Sequence, residues 1–196
     1  MQTEIEVKFL DINFDDVRAK LQELGAHLEQ PMRLMRRSLI EMPHHEAVKG
    51  FVRIRDEGDK VTMTYKQRDD EFDLHGTKEI EVEVSDFDDT VKLLDAAGWP
   101  PITYQETKRE TWKLGEAEIV LDEWPWIPPY IEIEAPNEEI VRRTAENLGF
   151  IWSDAVVGSI DIIYNRDFPN MTIRGVIDIN KVKFGDPIPE EFKAVK

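Results

Sequence analysis

Cysteine is absent from the 196 residues. The chain therefore has no disulfide framework, no cysteine-ligated zinc and no thiol nucleophile, which fits a reducing compartment. Also missing is any run of about 18 apolar residues of the kind that spans a bilayer. The opening Met1-Gln2-Thr3-Glu4 has neither the basic nor the apolar region of a secretion signal. The expected location is the cytoplasm, with no membrane partner. Positive charge is scarce: 25 Lys and Arg stand against 41 Asp and Glu, for a formal charge of -16. So acidic a chain is repelled by DNA, RNA and anionic lipid over about a Debye length. That argues against a nucleic acid polymer as partner, but not against a small polyanion in a locally basic pocket. The ten glycines form no GxxxxGK or GxGxxG, which rules out a P-loop and a dinucleotide-binding turn.

What is present is an internal recurrence: an alternating strand, a turn, then a helix ending at glycine. Glu4-Ile5-Glu6-Val7-Lys8-Phe9 precedes a helix expected over 13–25, capped by Asn13, with Val17, Leu21 and Leu24 as its apolar stripe. Glu79 to Val84 precedes a helix over 86–97, with Ser85 and Asp88 in capping-box spacing. Ile131 to Glu134 precedes a helix over 138–148 that starts at Pro136-Asn137 and closes at Gly149. Between these units, 51–55 and 60–66 flank a hairpin turn at Asp56-Glu57-Gly58-Asp59, residues 106–114 and 116–122 flank Gly115, and 34–42 reads as a strand before a loop at 43–50. The fold class is α+β, with antiparallel strands and helices outside them.

Alternation puts Glu4, Glu6 and Lys8 on one strand face and Ile5, Val7 and Phe9 on the other. It likewise groups Arg53 with Arg55, Lys60 with Lys66, Glu79 with Glu81 and Glu83, Glu118 with Asp122, and Glu132 with Glu134. The bland reading is a sheet with one wet, charged face. Yet the charges are sorted, carboxylates on some strands and cations on others. If the sheet closes with those faces inward, the interior is tolerable only around something that binds both signs, such as a divalent metal with a polyphosphate.

On these residues the sequence resembles the CYTH superfamily, the triphosphate tunnel metalloenzymes. Glu4-Ile5-Glu6-Val7-Lys8 is similar to its ExExK signature, Val52-Arg53-Ile54-Arg55 to its LRIR strand, and Met63-Thr64-Tyr65-Lys66 to its LTLK strand. Thr107-Lys108-Arg109-Glu110, Ile119-Val120-Leu121-Asp122 and Tyr130-Ile131-Glu132-Ile133-Glu134 follow in the family's order. The resemblance covers about residues 2–166 and implies an eight-stranded antiparallel β-barrel whose tunnel holds Mg²⁺ or Mn²⁺ and a linear triphosphate. Carried over position by position, it implies Glu4, Glu6, Asp122, Glu132 and Glu134 as metal ligands, with Glu81 a looser match. The implied phosphate binders are Lys8, Arg53, Arg55, Lys66 and Arg109, and the general base is Glu132 or Glu134.

Departures from the family pattern raise further candidates. Ser38 to Pro43 lacks the family's aromatic residue, and Arg36 or Arg37 could add a cation there. Arg166 could supply the late basic residue of a C-terminal helix, in competition with Lys181 and Lys183. Trp124-Pro125-Trp126 reads as a rigid packed loop, or else as a stacking wall for an organic ring. His44-His45-Glu46 lacks a third ligand for zinc, and His27 and His75 are lone histidines. The domain is expected to span 1–166, followed by an extension over 167–196 with a strand at 172–179 and a loose tail. The expected function is hydrolysis of a triphosphate, inorganic tripolyphosphate first. The alternatives are a class IV adenylyl cyclase, a thiamine triphosphatase and, from another class, a non-catalytic polyphosphate- or nucleotide-binding module. A homodimer is expected only by resemblance to the family.

Overall fold

The computed structural model describes residues 2–3, 5–41, 50–68, 77–171 and 175–193. Among them one sheet takes nearly every strand: β1 (Gln2–Thr3), β2 (Glu6–Phe9), β3 (His27–Glu41), β4 (Gly50–Asp56), β5 (Val61–Arg68), β6 (Thr77–Val84), β7 (Pro101–Leu114), β8 (Ala117–Glu123) and β9 (Tyr130–Glu134), with β10 (Lys181–Val182) beside β7. The order is β1-β6-β5-β4-β3-β7-β8-β9-β2. Strands β2 to β9 make the eight-stranded antiparallel sheet that was expected, and β10 joins it parallel.

The expected barrel is not closed by hydrogen bonds among the described residues. The path ends on two consecutive pieces of one N-terminal segment: Gln2 and Thr3 pair with β6, while Glu6 to Phe9 pair with β9. The second edge of β2 is taken at Lys8 by Val156, through reciprocal 2.9 Å backbone bonds. Strand β2 has only two edges, so that bridge occupies the one β6 would need.

Helices cover the outer, apolar faces. In α1 (Phe14–Glu23), Asn13 accepts from the amides of Asp15 and Asp16, and the chain leaves the helix through Gly25 at φ +75°. In α3 (Glu138–Leu148), Asn137 accepts from the Ile140 amide and Gly149 is left-handed. These two helices press Val17, Leu21, Val141, Ala145 and Leu148 onto Val7, Ile119, Leu121, Ile131 and Ile133. Helix α2 (Phe87–Ala96) covers Ile40, Val52 and Ile54 with Phe87, Val91 and Leu94. Its cap differs from expectation: Asp86, not Ser85, accepts from the Asp89 amide at 2.8 Å. An ionised cap next to the positive end of the helix outdoes a hydroxyl one residue too early.

The C-terminal part, expected as an extension with a strand at 172–179 and a loose tail, packs against the sheet. Residues 175–178 form a 3₁₀ turn rather than a strand, and 172–174 lie outside the described residues. Helix α4 (Ile160–Asp167), this turn and β10 build a second core in which Ile163, Tyr164, Met171, Val176, Ile179 and Val182 pack with Trp124, Ile127 and Tyr130. Polar stitches fix it to β7: Thr103 donates to the Ile179 carbonyl at 2.6 Å and the Tyr104 amide to the Asn180 carbonyl. No described helix is long and apolar enough to cross a membrane.

Candidate functional site

Because strand side chains alternate, the face opposite the helices collects the sorted charges. They line a cavity of about 1090 Å³ to which all eight strands β2 to β9 contribute. Registry decides which charges meet. Lys8 lies opposite Glu132 and Glu6 opposite Glu134 on one side of β9, with Glu118 opposite Glu134 on the other. Arg109 lies opposite Asp122.

One knot forms where β2, β7, β8 and β9 converge. The Lys8 ammonium is buried and lies 2.8 Å from Glu6 and 3.2 Å from Glu132. Burial works against its charge, but Glu132 and Glu6 outweigh that and raise its pKa. Arg109 donates Nε to Asp122 at 2.7 Å and Nη2 to both Asp122 and Glu132, the latter at 2.9 Å. Burial raises Asp122 even so. Glu132 is desolvated too, yet Lys8 and Arg109 hold it down to about 2. The buried Tyr130 phenol beside these acids is pushed well above its ordinary range, first by burial and then by Asp122 and Glu132.

A second group lies on β4, β5 and β6. Arg53 donates to Thr64 Oγ1 at 3.3 Å, Thr64 donates to Glu81 at 2.8 Å, and Arg53 itself is 3.8 Å from Glu81. Lys66 pairs with Glu79 at 2.9 Å. The Arg55 guanidinium lies 2.6 Å from Glu57, which also receives Arg33 at 3.4 Å. Burial, then Arg55 and Arg37, push Arg53 down to about 9. Arg37, under burial and the repulsion of Arg55 and Arg109, falls to about 10. Both guanidiniums are half-buried and crowded by like charge.

The expected residues Glu6, Lys8, Arg53, Arg55, Lys66, Glu81, Arg109, Asp122, Glu132 and Glu134 all line the one cavity. Glu4, the His44-His45-Glu46 group and His75 lie outside the described residues. Arg166, expected as a substrate-binding residue, does not line the cavity. Asp11 holds its guanidinium at 2.7 and 3.0 Å and Asp167 at 2.7 Å, on a partly exposed surface. Lys181 and Lys183 do not line it either. Of the β3 pair, Arg37 faces inward, while Arg36 reaches Asp56 and Asp88 outside.

Several lining residues were missed from sequence. Arg33 shares the cavity face of β3 with Met35, Arg37 and Leu39, a period-two signal that was there to read. Gln105 and Glu57 gave none, being an uncharged residue and a turn residue respectively. Trp124 belongs to the packed loop, with Tyr164 donating to the Pro125 carbonyl at 2.7 Å, and it walls the cavity as well.

Carboxylates and cations drawn from eight antiparallel strands into one cavity define a protein with a charged, polyanion-sized interior. The chain belongs to the CYTH domain family, whose model matches residues 2–153. Solved structures share its fold. A protein of Pyrococcus horikoshii OT3 is 25% identical with a TM-score of 0.65, over 78% of this chain and 94% of that one. A protein of Vibrio parahaemolyticus, proposed to be an adenylate cyclase, has a TM-score of 0.68 at 14% identity, over 83% of this chain and 97% of its own. A Hippeastrum protein, proposed as an adenylyl cyclase and described as having a dominant triphosphatase activity, has a TM-score of 0.51 at 14% identity, over 76% and 89% of the two chains. No curated protein sequence matches.

Proposed function

We propose that this chain is a metal-dependent triphosphatase that hydrolyses a triphosphate, inorganic tripolyphosphate first, with the cavity acting as a tunnel. The observation that carries the reading is the convergence of Lys8, Arg53, Arg55, Lys66 and Arg109 with Glu6, Asp122, Glu132 and Glu134 around one cavity. Membership of the CYTH family supports it.

The carboxylate set suits Mg²⁺ or Mn²⁺ in donor chemistry, since all its members are hard oxygen ligands. Glu6, Glu134 and Glu118 also form a cross-strand row of like charges, which a divalent cation relieves. Among the described residues no three acids stand close enough to hold an ion as they are, Glu6, Asp122 and Glu132 being turned onto Lys8 and Arg109. The ion would be held by Glu6, Asp122, Glu132 and Glu134, with Glu4 and Glu81 as further candidates. When bound, it neutralises phosphate oxygens and lowers the pKa of a water.

The chain's own residues do the rest. Lys8, Arg53, Arg55, Lys66 and Arg109 bind and orient the phosphoryl oxygens and take up charge as it develops. Glu132 or Glu134 accepts the proton of the attacking water.

The test offers purified protein tripolyphosphate, ATP and thiamine triphosphate with Mg²⁺ or Mn²⁺, and measures phosphate and cyclic AMP. Phosphate release from tripolyphosphate is expected. A cyclic product from ATP would move the assignment to a cyclase, and no turnover of any of the three would overturn the enzyme reading. Glu134→Gln should lower kcat by at least about a hundredfold with the fold intact, whereas Lys66→Ala should chiefly raise KM. Wild-type activity in Glu134→Gln would refute that residue's role.

A further inference from the structure

The five cations above do not exhaust the donors of the cavity. Toward the C-terminal segment its lining includes the apolar Leu39, Ile102, Ile160, Val176 and Ile177. Buried polar groups sit in that wall without partners. Gln105 is wholly buried, and its amide oxygen accepts from Arg37 Nε at 2.8 Å, which leaves Nε2 as a donor with no acceptor. Trp124, 95% buried, gives its ring face to the Arg37 guanidinium at 3.9 Å, and its indole N–H has no acceptor. Ser159 stands at the N-cap of α4 yet makes no capping bond, and its buried hydroxyl is unpartnered. Arg53 Nε is a fourth orphan.

Native interiors satisfy their polar groups, so several orphans around one cavity call for a missing partner. Three of the four orphan atoms can only donate, and the fourth is a hydroxyl. Two half-buried guanidiniums, Arg37 and Arg53, stand among them. The complementary ligand is acceptor-only, anionic and able to take several hydrogen bonds, which describes a phosphoryl group. The acids on this part of the wall include Glu41, Asp161 and, 3.8 Å from Arg53, Glu81; Asp161 accepts from the Val176 amide at 3.0 Å. The apolar walls lower the local dielectric and strengthen each charge-assisted bond.

We propose that Arg37, Gln105 and Trp124, with Ser159, form a subsite for the terminal phosphoryl group of the polyphosphate, beneath α4 and the 175–178 turn. The inference rests on the triphosphate reading and adds direction to it: one end of the substrate is buried under the C-terminal segment, and the other faces Arg33, Arg55 and Glu134.

The test is isothermal titration calorimetry of tripolyphosphate in EDTA, where no metal supports turnover, on wild type, Trp124→Phe, Gln105→Glu and Lys66→Ala. Trp124→Phe keeps a ring for Arg37 to stack on and deletes only the N–H. Gln105→Glu keeps the acceptor for Arg37 and replaces the donor with a charge that repels an anion. Circular dichroism and melting curves confirm that each variant is folded. The subsite predicts about tenfold weaker binding for Trp124→Phe and a larger loss for Gln105→Glu. Wild-type binding that Lys66→Ala weakens, but that both subsite variants keep within twofold, overturns the subsite and leaves the triphosphate reading standing. Absence of wild-type binding in EDTA overturns the subsite, while turnover with Mg²⁺ or Mn²⁺ decides the triphosphate reading separately. Should one variant fail to fold, the other decides.

Discussion

Glu57 shows how one turn residue organises several others. Its carboxylate is almost entirely buried, lies 2.6 Å from Arg55 and within reach of Arg33, and its backbone carbonyl accepts from Arg33 Nε at 3.0 Å. Burial opposes its charge, but Arg55, Lys60 and Arg33 prevail and hold its pKa below the ordinary 4.5. A carboxyl depressed by folding contributes stability that is present above its unfolded pKa and fades as pH falls through the lowered folded value. Glu57→Gln should therefore cost about 2 kcal/mol at pH 7, and the difference from wild type should shrink as pH drops below 4.5. Melting curves of both proteins at pH 7 and pH 3 check this. A gap of equal size at both values would show that charge is not what Glu57 contributes.

At the scale of elements, α1 and α3 are held by their apolar stripes rather than by helix propensity, as short helices usually are. Leu21 is fully buried between α1 and the outer face of the sheet. Leu21→Ala should cost about 2–5 kcal/mol, whereas Asn137→Ala, which removes only the cap of α3, should cost about 1 kcal/mol. Chemical denaturation of the two variants ranks them; a cap loss larger than the core loss would mean that α3 is held chiefly at its start. Strand β3 runs from His27 to Glu41, well beyond the 34–42 expected from alternation, because register shifts after Leu28, Gln30 and Leu39 break the period that a sequence reader follows.

At the scale of the whole molecule, both signs of charge enter the cavity, eight Lys and Arg among twelve Asp and Glu of the described residues. The chain carries -16 overall, while at least six cations, Lys8, Arg37, Arg53, Arg55, Lys66 and Arg109, line the cavity. Short polyphosphates should therefore bind where long polyanions do not. In competition at low salt, excess poly(U) should leave tripolyphosphate binding unchanged within twofold. Displacement by poly(U) would place a basic surface outside the cavity.

Much of this was open to a reader of the residues. Two-residue alternation fixed which side chains share a face, glycine and Asn signals placed three helices to within a residue or two, and six short motifs in order pointed to the family. Those are local properties, set by backbone geometry and by spacing along the chain. What the sequence could not say was who stands opposite whom. Pairing across strands put Glu6 against Glu134 and Lys8 against Glu132, and it brought Gln105 under Arg37 from 68 positions away. The C-terminal segment read as an extension with a strand at 172–179 and a loose tail, and nothing local marks its apolar residues as core. They are matched by Trp124, Ile127 and Tyr130, which long-range packing brings to them. The partner of Arg166 was hidden for the same reason: Asp11, which holds its guanidinium, lies 155 positions away in the chain.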